Sequence, residues 1–397
     1  MSITIEEAIA IARRYAVVRP AEEVPLDGAL GRVMARDVFA PLAQPPFDRS
    51  PLDGYAVCAE DTLEASPDAP VELQVVDRLY AGEVATVPLR RGQAVRLMTG
   101  AMLPEGASGV IRQEDTDRGE ERVRIFRGVR SGENCCRKGE EYEAGSLLLT
   151  SGSRVDAASI AVAAGAGITH LPVYRRVRAA IISTGDEICQ PGEPLATGKI
   201  YDSNRAYLSA RLRQLGVEIK KALSVGDSIP QLCQSLQNCK ACHVILTTGG
   251  VSVGQKDLLE EAVRACGVQI LFHGIAIKPG MPTLLARWDD SLILGLSGNP
   301  FSAAVPLELL LRPILAKMTG DPQLEMKRRR GVAADNFIKS SPTRRFLRAR
   351  IVGRRVELPP AQANGQMRSM VGCNCLVDVP AGSGPIRRGD RVDVWML

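Results

Sequence analysis

From residue 176 onward, apolar runs and amphipathic stretches take turns along the chain. "RVRAAIISTGDEI" is an unbroken apolar run that ends in Thr184-Gly185-Asp186-Glu187. "DSNRAYLSARLRQLGVEI" predicts a helix capped by Asn or Ser and ended by Gly216, and "KALSVGD" a strand ending at Asp227. "SIPQLCQSLQNCKAC" predicts a helix and "HVILTTGG" a buried strand, followed by the helix "DLLEEAVRACG". "LILGLSGNPFSAAVPLELLLRPIL" predicts strand, turn and helix once more. Buried strands alternating with helices of this length predict βαβ units and a mostly parallel, doubly wound sheet.

The pattern differs on either side of this block. "MSITIEEAIAIARR" predicts an amphipathic first helix, and "SRVDAASIAVAAG" a helix closed by glycine. Between them lies the proline-rich "PLAQPPFDRSPLDGYAV", which cannot be helical, and then short β-rich pieces up to about 140. After about 327, "RFLRARIV", "RVELPP", "NCLVDVP" and "DRVDVWML" predict a small terminal β-barrel or sandwich. The 397 residues are too many for one typical core, which predicts two to four domains.

Composition narrows the function classes. Hydrophobic residues at 45% and charged residues at 24% are ordinary for a globular chain. Aromatics at 4% leave few platforms for stacking bases, and a net charge of +5 forms no dense basic stripe, so no nucleic-acid partner is expected. The first residues carry Glu6 and Glu7 where an export signal is basic. "AASIAVAAGAGIT" is too short to span a bilayer. A cytoplasmic protein without a membrane partner is expected, its ten cysteines reduced. "CKACH" at 239–243 matches a haem-attachment spacing, but His243 leads straight into an apolar strand, so the match reads as chance.

Ligands of doubly wound sheets bind at the carboxyl ends of the strands. Here those ends carry Glu187, Asp227, the turn Gly249-Gly250-Val251-Ser252-Val253-Gly254 with Asp257, and Ser297-Gly298-Asn299-Pro300. Glycine-rich turns supply backbone amides for anions. The three carboxylates suit a hard ion such as Mg²⁺, and Lys278 in "IKPGMP" offers a fixed positive charge. Helix capping by Asp186 and Asp227, and a solvated turn lysine at 278, are the plainer alternatives. No P-loop, no dinucleotide fingerprint and no Ser-His-Asp arrangement is present.

Taken in order, "FDRSPLDGYAV", "MTGAMLPEGASGVI", "STGDEI", "YDSNRAYL", "TTGGVSVGQKD", "IKPGMP" and "GLSGNPFSA" resemble the MoeA/gephyrin E-domain family of molybdopterin molybdenumtransferases over the whole chain. The resemblance implies a multidomain α/β architecture. A split N-terminal domain (1–44 plus 141–175) would hold an inserted β-rich domain (45–140). A doubly wound, MogA-like molybdopterin-binding domain (176–326) and a β-barrel-like C-terminal domain (327–397) would follow. It implies a homodimer with an inter-subunit active site, Mg²⁺ as cofactor, and molybdate and adenylylated molybdopterin as substrates, giving molybdenum cofactor and AMP. Among its implied roles, Asp53 and Thr99 would reach in from the other subunit, where Asp53-Gly54 otherwise reads as a turn. Glu187, Asp227 and Asp257 would be the acidic, metal-holding set, with Lys278 beside them. Gly249, Gly250, Ser252, Gly254, Ser297, Gly298, Asn299 and Pro300 would bind the pterin, and Ser369 in "QMRSMVGCN" would lie near the oxyanion.

The sequence departs from the family pattern at several places. His273 stands where lysine is usual, Met281 stands in "KPGMP" for a second lysine, Ser297 replaces a proline, and "GEEY" at 139–142 replaces G-E-D. Fewer permanent cations are expected to weaken anion binding. A paralogue preferring tungstate, a molybdopterin-binding dimeric scaffold, and an adenylyltransferase of the MogA type are the rival readings. The 175 residues before the doubly wound block speak against the last, although a MogA-type enzyme would suit as partner.

Overall fold

The computed structural model describes residues 2–251 and 258–397. The predicted site residues Ser252, Gly254 and Asp257 lie outside the described residues. Thr4 starts helix α1 (Ile5–Tyr15) with reciprocal bonds: its hydroxyl accepts from the Glu7 N–H, and the Glu7 carboxylate accepts from the Thr4 N–H. Ile5, Ala8 and Ala12 then face inward at helical spacing. Strand β1 (Ala21–Pro25) follows.

Five strands come next: β2 (Gly54–Val57), β3 (Val71–Leu79), β4 (Gln93–Leu97), β5 (Gly109–Arg112) and β6 (Arg122–Ile125). They form one sheet in the order β5-β2-β4-β3-β6. Gly54 opens β2 and makes no turn. A Cβ there would lie 1.9 Å from the Ile111 carbonyl oxygen, so only glycine lets β2 and β5 pair. After this sheet the chain returns to its beginning. Val38–Phe39 pairs with Leu147–Leu149, helix α2 (Ala157–Gly165) is capped by Asp156, and β7 (His170–Tyr174) runs antiparallel to β1.

The central block follows in the predicted alternation. It contains β8 (Arg178–Thr184), α3 (Ser203–Gln214), β9 (Glu218–Val225), α4 (Ile229–Asn238), β10 (Val244–Thr248), α5 (Leu258–Ala265) and β11 (Gln269–His273). After the short β12 (Ile277–Lys278) come β13 (Leu284–Trp288), β14 (Ser291–Leu296), α6 (Pro300–Pro306) and α7 (Arg312–Thr319). The sheet order is β9-β8-β10-β14-β13-β11, with the first four strands parallel. Successive residues alternate between its faces. Ala179, Ile181, Leu246 and Leu294 pack with α1, α3, α6 and α7, whereas Ala180, Ile182, Ile245 and Ile293 pack with α4 and α5. The thiols of Cys239 and Cys242 are buried in the second layer, where burial pushes Cys239 up to about 11, so both cysteines of "CKACH" are core residues.

The last strands are β15 (Arg328–Ala333), β16 (Arg344–Val352), β17 (Arg355–Glu357), β18 (Cys375–Val379) and β19 (Arg391–Met396). Their order is β16-β17-β15-β19-β18, and β18 pairs back with β16, which closes a five-stranded barrel. β12 adds to the barrel beside β16. Among the described residues no helix is long and apolar enough to cross a membrane.

Candidate functional site at the carboxyl ends of the parallel strands

Parallel pairing in the order β9-β8-β10-β14 puts four chain turns side by side at one edge of the sheet. The turn after β10 is held by tight packing. Gly249 (φ +90°) and Gly250 (φ +62°) both need the left-handed region, and a Cβ on Gly249 would lie 2.2 Å from the Thr184 carbonyl oxygen. This first glycine therefore lets β8 and β10 close on each other. The Gly249 N–H donates to the Leu296 carbonyl, tying the turn to β14. The backbone N–H groups of Gly250 and Gly298 have no acceptor among the described residues.

Asn204 joins the two glycine-bearing turns. Its Nδ2 donates to the Thr248 Oγ1 at 2.7 Å and to the Gly298 carbonyl at 2.8 Å, while Thr248 Oγ1 donates to the Ser297 carbonyl at 3.2 Å. Sequence reasoning offered Asn or Ser as the helix cap here. The cap is Asp202, whose buried carboxylate accepts from the Arg205 N–H, and this frees Asn204 for the turns. Three consecutive residues with capping side chains hid that division of work.

The acidic residues occupy the other end of the row. Glu187 and Asp227 are both exposed, at the ends of the adjacent strands β8 and β9. Neither Asp186 nor Asp227 caps a helix. Asp186 Oδ1 accepts from the Asp227 N–H at 3.1 Å, and Ser228 is the cap residue of α4. Glu187 and Asp227 form no ion pair among the described residues and are hard oxygen donors, which suits a cation such as Mg²⁺. No group of three or more metal-ligating side chains is gathered among the described residues; Asp257, the third of the expected set, is not one of them.

Asn299 and Pro300 open α6, and the Asn299 carbonyl accepts the helix bond from the Ala303 N–H. The barrel reaches this point. The Phe301 N–H donates to the Asn364 carbonyl at 2.9 Å, and the guanidinium of Arg348 lies 3.7 Å over the Phe301 ring. Arg348 is fully buried, and donates to Ser369 Oγ at 2.8 Å, to the Ala363 carbonyl at 2.7 Å and to the Gln366 carbonyl. The structure thus brings the predicted Ser369 to the Asn299-Pro300 turn through Arg348. No sequence pattern pointed to this arginine, one of many in the chain.

Lys278 is exposed on β12, and its loop meets the same helix: a Cβ on Gly280 would lie 2.5 Å from Pro306 Cγ. Asp53 and Thr99 lie elsewhere, in the five-stranded sheet. There Asp53 Oδ1 accepts from both the N–H and the hydroxyl of Thr99, each at 2.7 Å. Those bonds, with Arg96 nearby, hold the Asp53 carboxyl below its ordinary range.

The comparisons with known proteins agree along the chain. A family model described as the MoeA N-terminal region (domain I and II) matches residues 3–167, a probable molybdopterin binding domain matches 180–317, and the MoeA C-terminal region (domain IV) matches 330–397. Molybdopterin molybdenumtransferase 2 of Mycobacterium tuberculosis is 36% identical over 383 residues, 94% of each chain. The chain belongs to the MoeA family. The molybdopterin molybdenumtransferase of Bacillus subtilis is 34% identical over 404 aligned positions, covering 100% of this chain and 94% of that one. A solved MoeA molybdopterin biosynthesis protein from Pyrococcus horikoshii superposes with a TM-score of 0.88 at 30% identity, over 100% of this chain and 99% of that one.

Two of the departures from the MoeA pattern make local contacts. Ser297 Oγ accepts from the Asn299 N–H at 3.2 Å, so the hydroxyl braces the turn that proline stiffens elsewhere. His273 Nδ1 lies 2.7 Å from Glu260 Oε2, and Glu260 also pairs with Arg264. These contacts hold the Glu260 carboxyl below its ordinary range, Arg264 contributing most.

Proposed function

We propose that this chain inserts molybdenum into adenylylated molybdopterin, releasing AMP and giving molybdenum cofactor. Membership of the MoeA family and the names of its relatives support a role in molybdenum cofactor biosynthesis. The observation that carries the finer reading is Asn204 fixing the turn after β10 to the turn after β14. Two rigidly joined turns with open backbone N–H groups suit one long ligand with separate anionic parts, as an adenylylated pterin is.

In this reading the turns bind and orient the pterin, and Lys278 offsets charge on the phosphates. Glu187, Asp227 and Asp257 hold Mg²⁺, which when bound neutralises phosphate charge. Ser369, kept in place by Arg348, faces the oxyanion. A second copy of the chain contributes Asp53 and Thr99, since Asp53 Oδ2 has no partner among the described residues. An enzyme of the MogA type supplies the adenylylated substrate.

The test is AMP release by the purified protein with Mg²⁺, with molybdate, tungstate or neither added. Release should require molybdate, and Asp227→Ala should lower it by at least about 100-fold. Faster release with tungstate would replace the metal in this reading. Molybdopterin binding without release under either oxyanion would make the chain a binding scaffold.

A further inference from the structure

A cavity of about 400 Å³ opens at the opposite edge of the central sheet, at the amino ends of β8, β9 and β10. Arg19, Arg175, Arg176 and Arg178 line it, together with His243. Two carboxylates also face it, Glu22 and Glu218. Each already has a cation of its own outside the wall: Glu22 binds Arg32 at 2.5 Å, and Glu218 binds Lys220 at 2.5 Å. Arg175 approaches Glu22 only to 3.8 Å. The cavity therefore keeps an excess of positive charge, and Asp290 is the remaining acid that acts on Arg19.

Two hydrogen-bonding faults mark the same spot. Arg19 Nε and Nη1 are shut from solvent with no acceptor among the described residues, an unusual state for a guanidinium. His243 is the second. Its Nδ1 accepts from the Arg178 N–H at 3.0 Å, while its Nε2 lies 3.2 Å from Arg178 Nη2. A neutral imidazole has one acceptor nitrogen, and a guanidinium only donates. With Nδ1 occupied, Nε2 carries the proton and points an N–H at another N–H.

We propose that this cavity is an oxyanion site, separate from the strand-end site, which takes a small phosphate-bearing ligand between His243 Nε2–H and the guanidinium groups of Arg178 and Arg19. One oxyanion accepting from both Nε2–H and Nη2–H turns the donor-donor contact into two charge-assisted bonds. It also relieves the mutual repulsion of the arginines. Burial, then Arg19 and Arg178, hold the His243 ring down at about 4, so it is neutral near pH 7 and raised by any bound anion.

The experiment is ¹⁵N NMR of the His243 ring in the full-length protein, titrated with inorganic pyrophosphate against sodium chloride of equal ionic strength. Expected are a saturable shift of Nε2 with pyrophosphate alone and an upward move of the His243 titration. Arg19→Gln should weaken the pyrophosphate Kd at least about tenfold. Arg176→Gln, at an exposed position that folding does not need, should weaken it by a smaller factor. Asp227→Ala, at the far edge, should leave it unchanged. An equal response to chloride, no saturation, or a Kd indifferent to both arginine variants overturns the proposal.

Discussion

At the carboxyl edge of the central sheet the polar groups are backbone turns, stitched together by one amide side chain. At the amino edge they are guanidinium groups that nothing stitches. The carboxyl edge has its geometry fixed by contacts as close as a missing Cβ allows, at Gly249 against Thr184. The amino edge has an excess of positive charge, and two of its groups lack suitable hydrogen-bond partners. The contrast teaches that one sheet can present a preorganised surface at one end and an electrostatically loaded one at the other. A backbone change should be severe at the first edge, and a change of protonation should be felt at the second.

Three experiments would break or sharpen this contrast. The largest effect is expected from Gly249→Ala, which forces a side chain into φ +90° against a backbone oxygen that cannot step aside. Urea unfolding should show a loss of about 3 kcal/mol or more. An unchanged midpoint would mean that the carboxyl edge is not rigid. Arg348→Met comes next. It removes the donors that tie the Ala363 and Gln366 carbonyls and Ser369 Oγ to β16, leaving only the local bonds Gln366 N–H to Ala363 and Ser369 Oγ to Gln366, so about 1–2 kcal/mol of stability should go, together with most AMP release. Retention of AMP release at full rate would remove Ser369 from the site.

The third effect concerns the amino edge and is confined to a window of pH. His243 falls from its ordinary 6.5 to about 4 in the folded chain, so between those values the unfolded chain binds more protons. Stability from this residue is therefore full above about pH 6.5 and is lost as the pH falls toward 4. His243→Gln should flatten that part of the stability–pH curve relative to the parent. Identical slopes would mean that the ring titrates freely.

The sequence made the sheet legible because its apolar runs and helical stretches are long and alternate cleanly. The strand ends were legible for the same reason, since topology gathers them wherever the strands are known. Asn204 was hidden among Asp202, Ser203 and Asn204, all residues that can cap a helix. Arg348 was hidden because burial of an arginine leaves no mark on local pattern. The arginine cavity was hidden because Arg19, the stretch carrying Arg175, Arg176 and Arg178, and His243 are far apart in the chain and meet only in the fold. β12 has two residues, too few for any periodicity to betray its place in the barrel.

The link between Phe301 and the loop carrying Asn364 has a consequence for the order in which the protein is made. Translation delivers the turns at 249 and 297 well before Arg348 and Asn364, the groups that clamp α6 from the barrel side. On the ribosome, the strand ends exist for a time with their floor in place and one wall missing. The late segment acts as a finishing piece, and a chain halted between the two has α6 without the contacts that Arg348 and Asn364 make to Phe301.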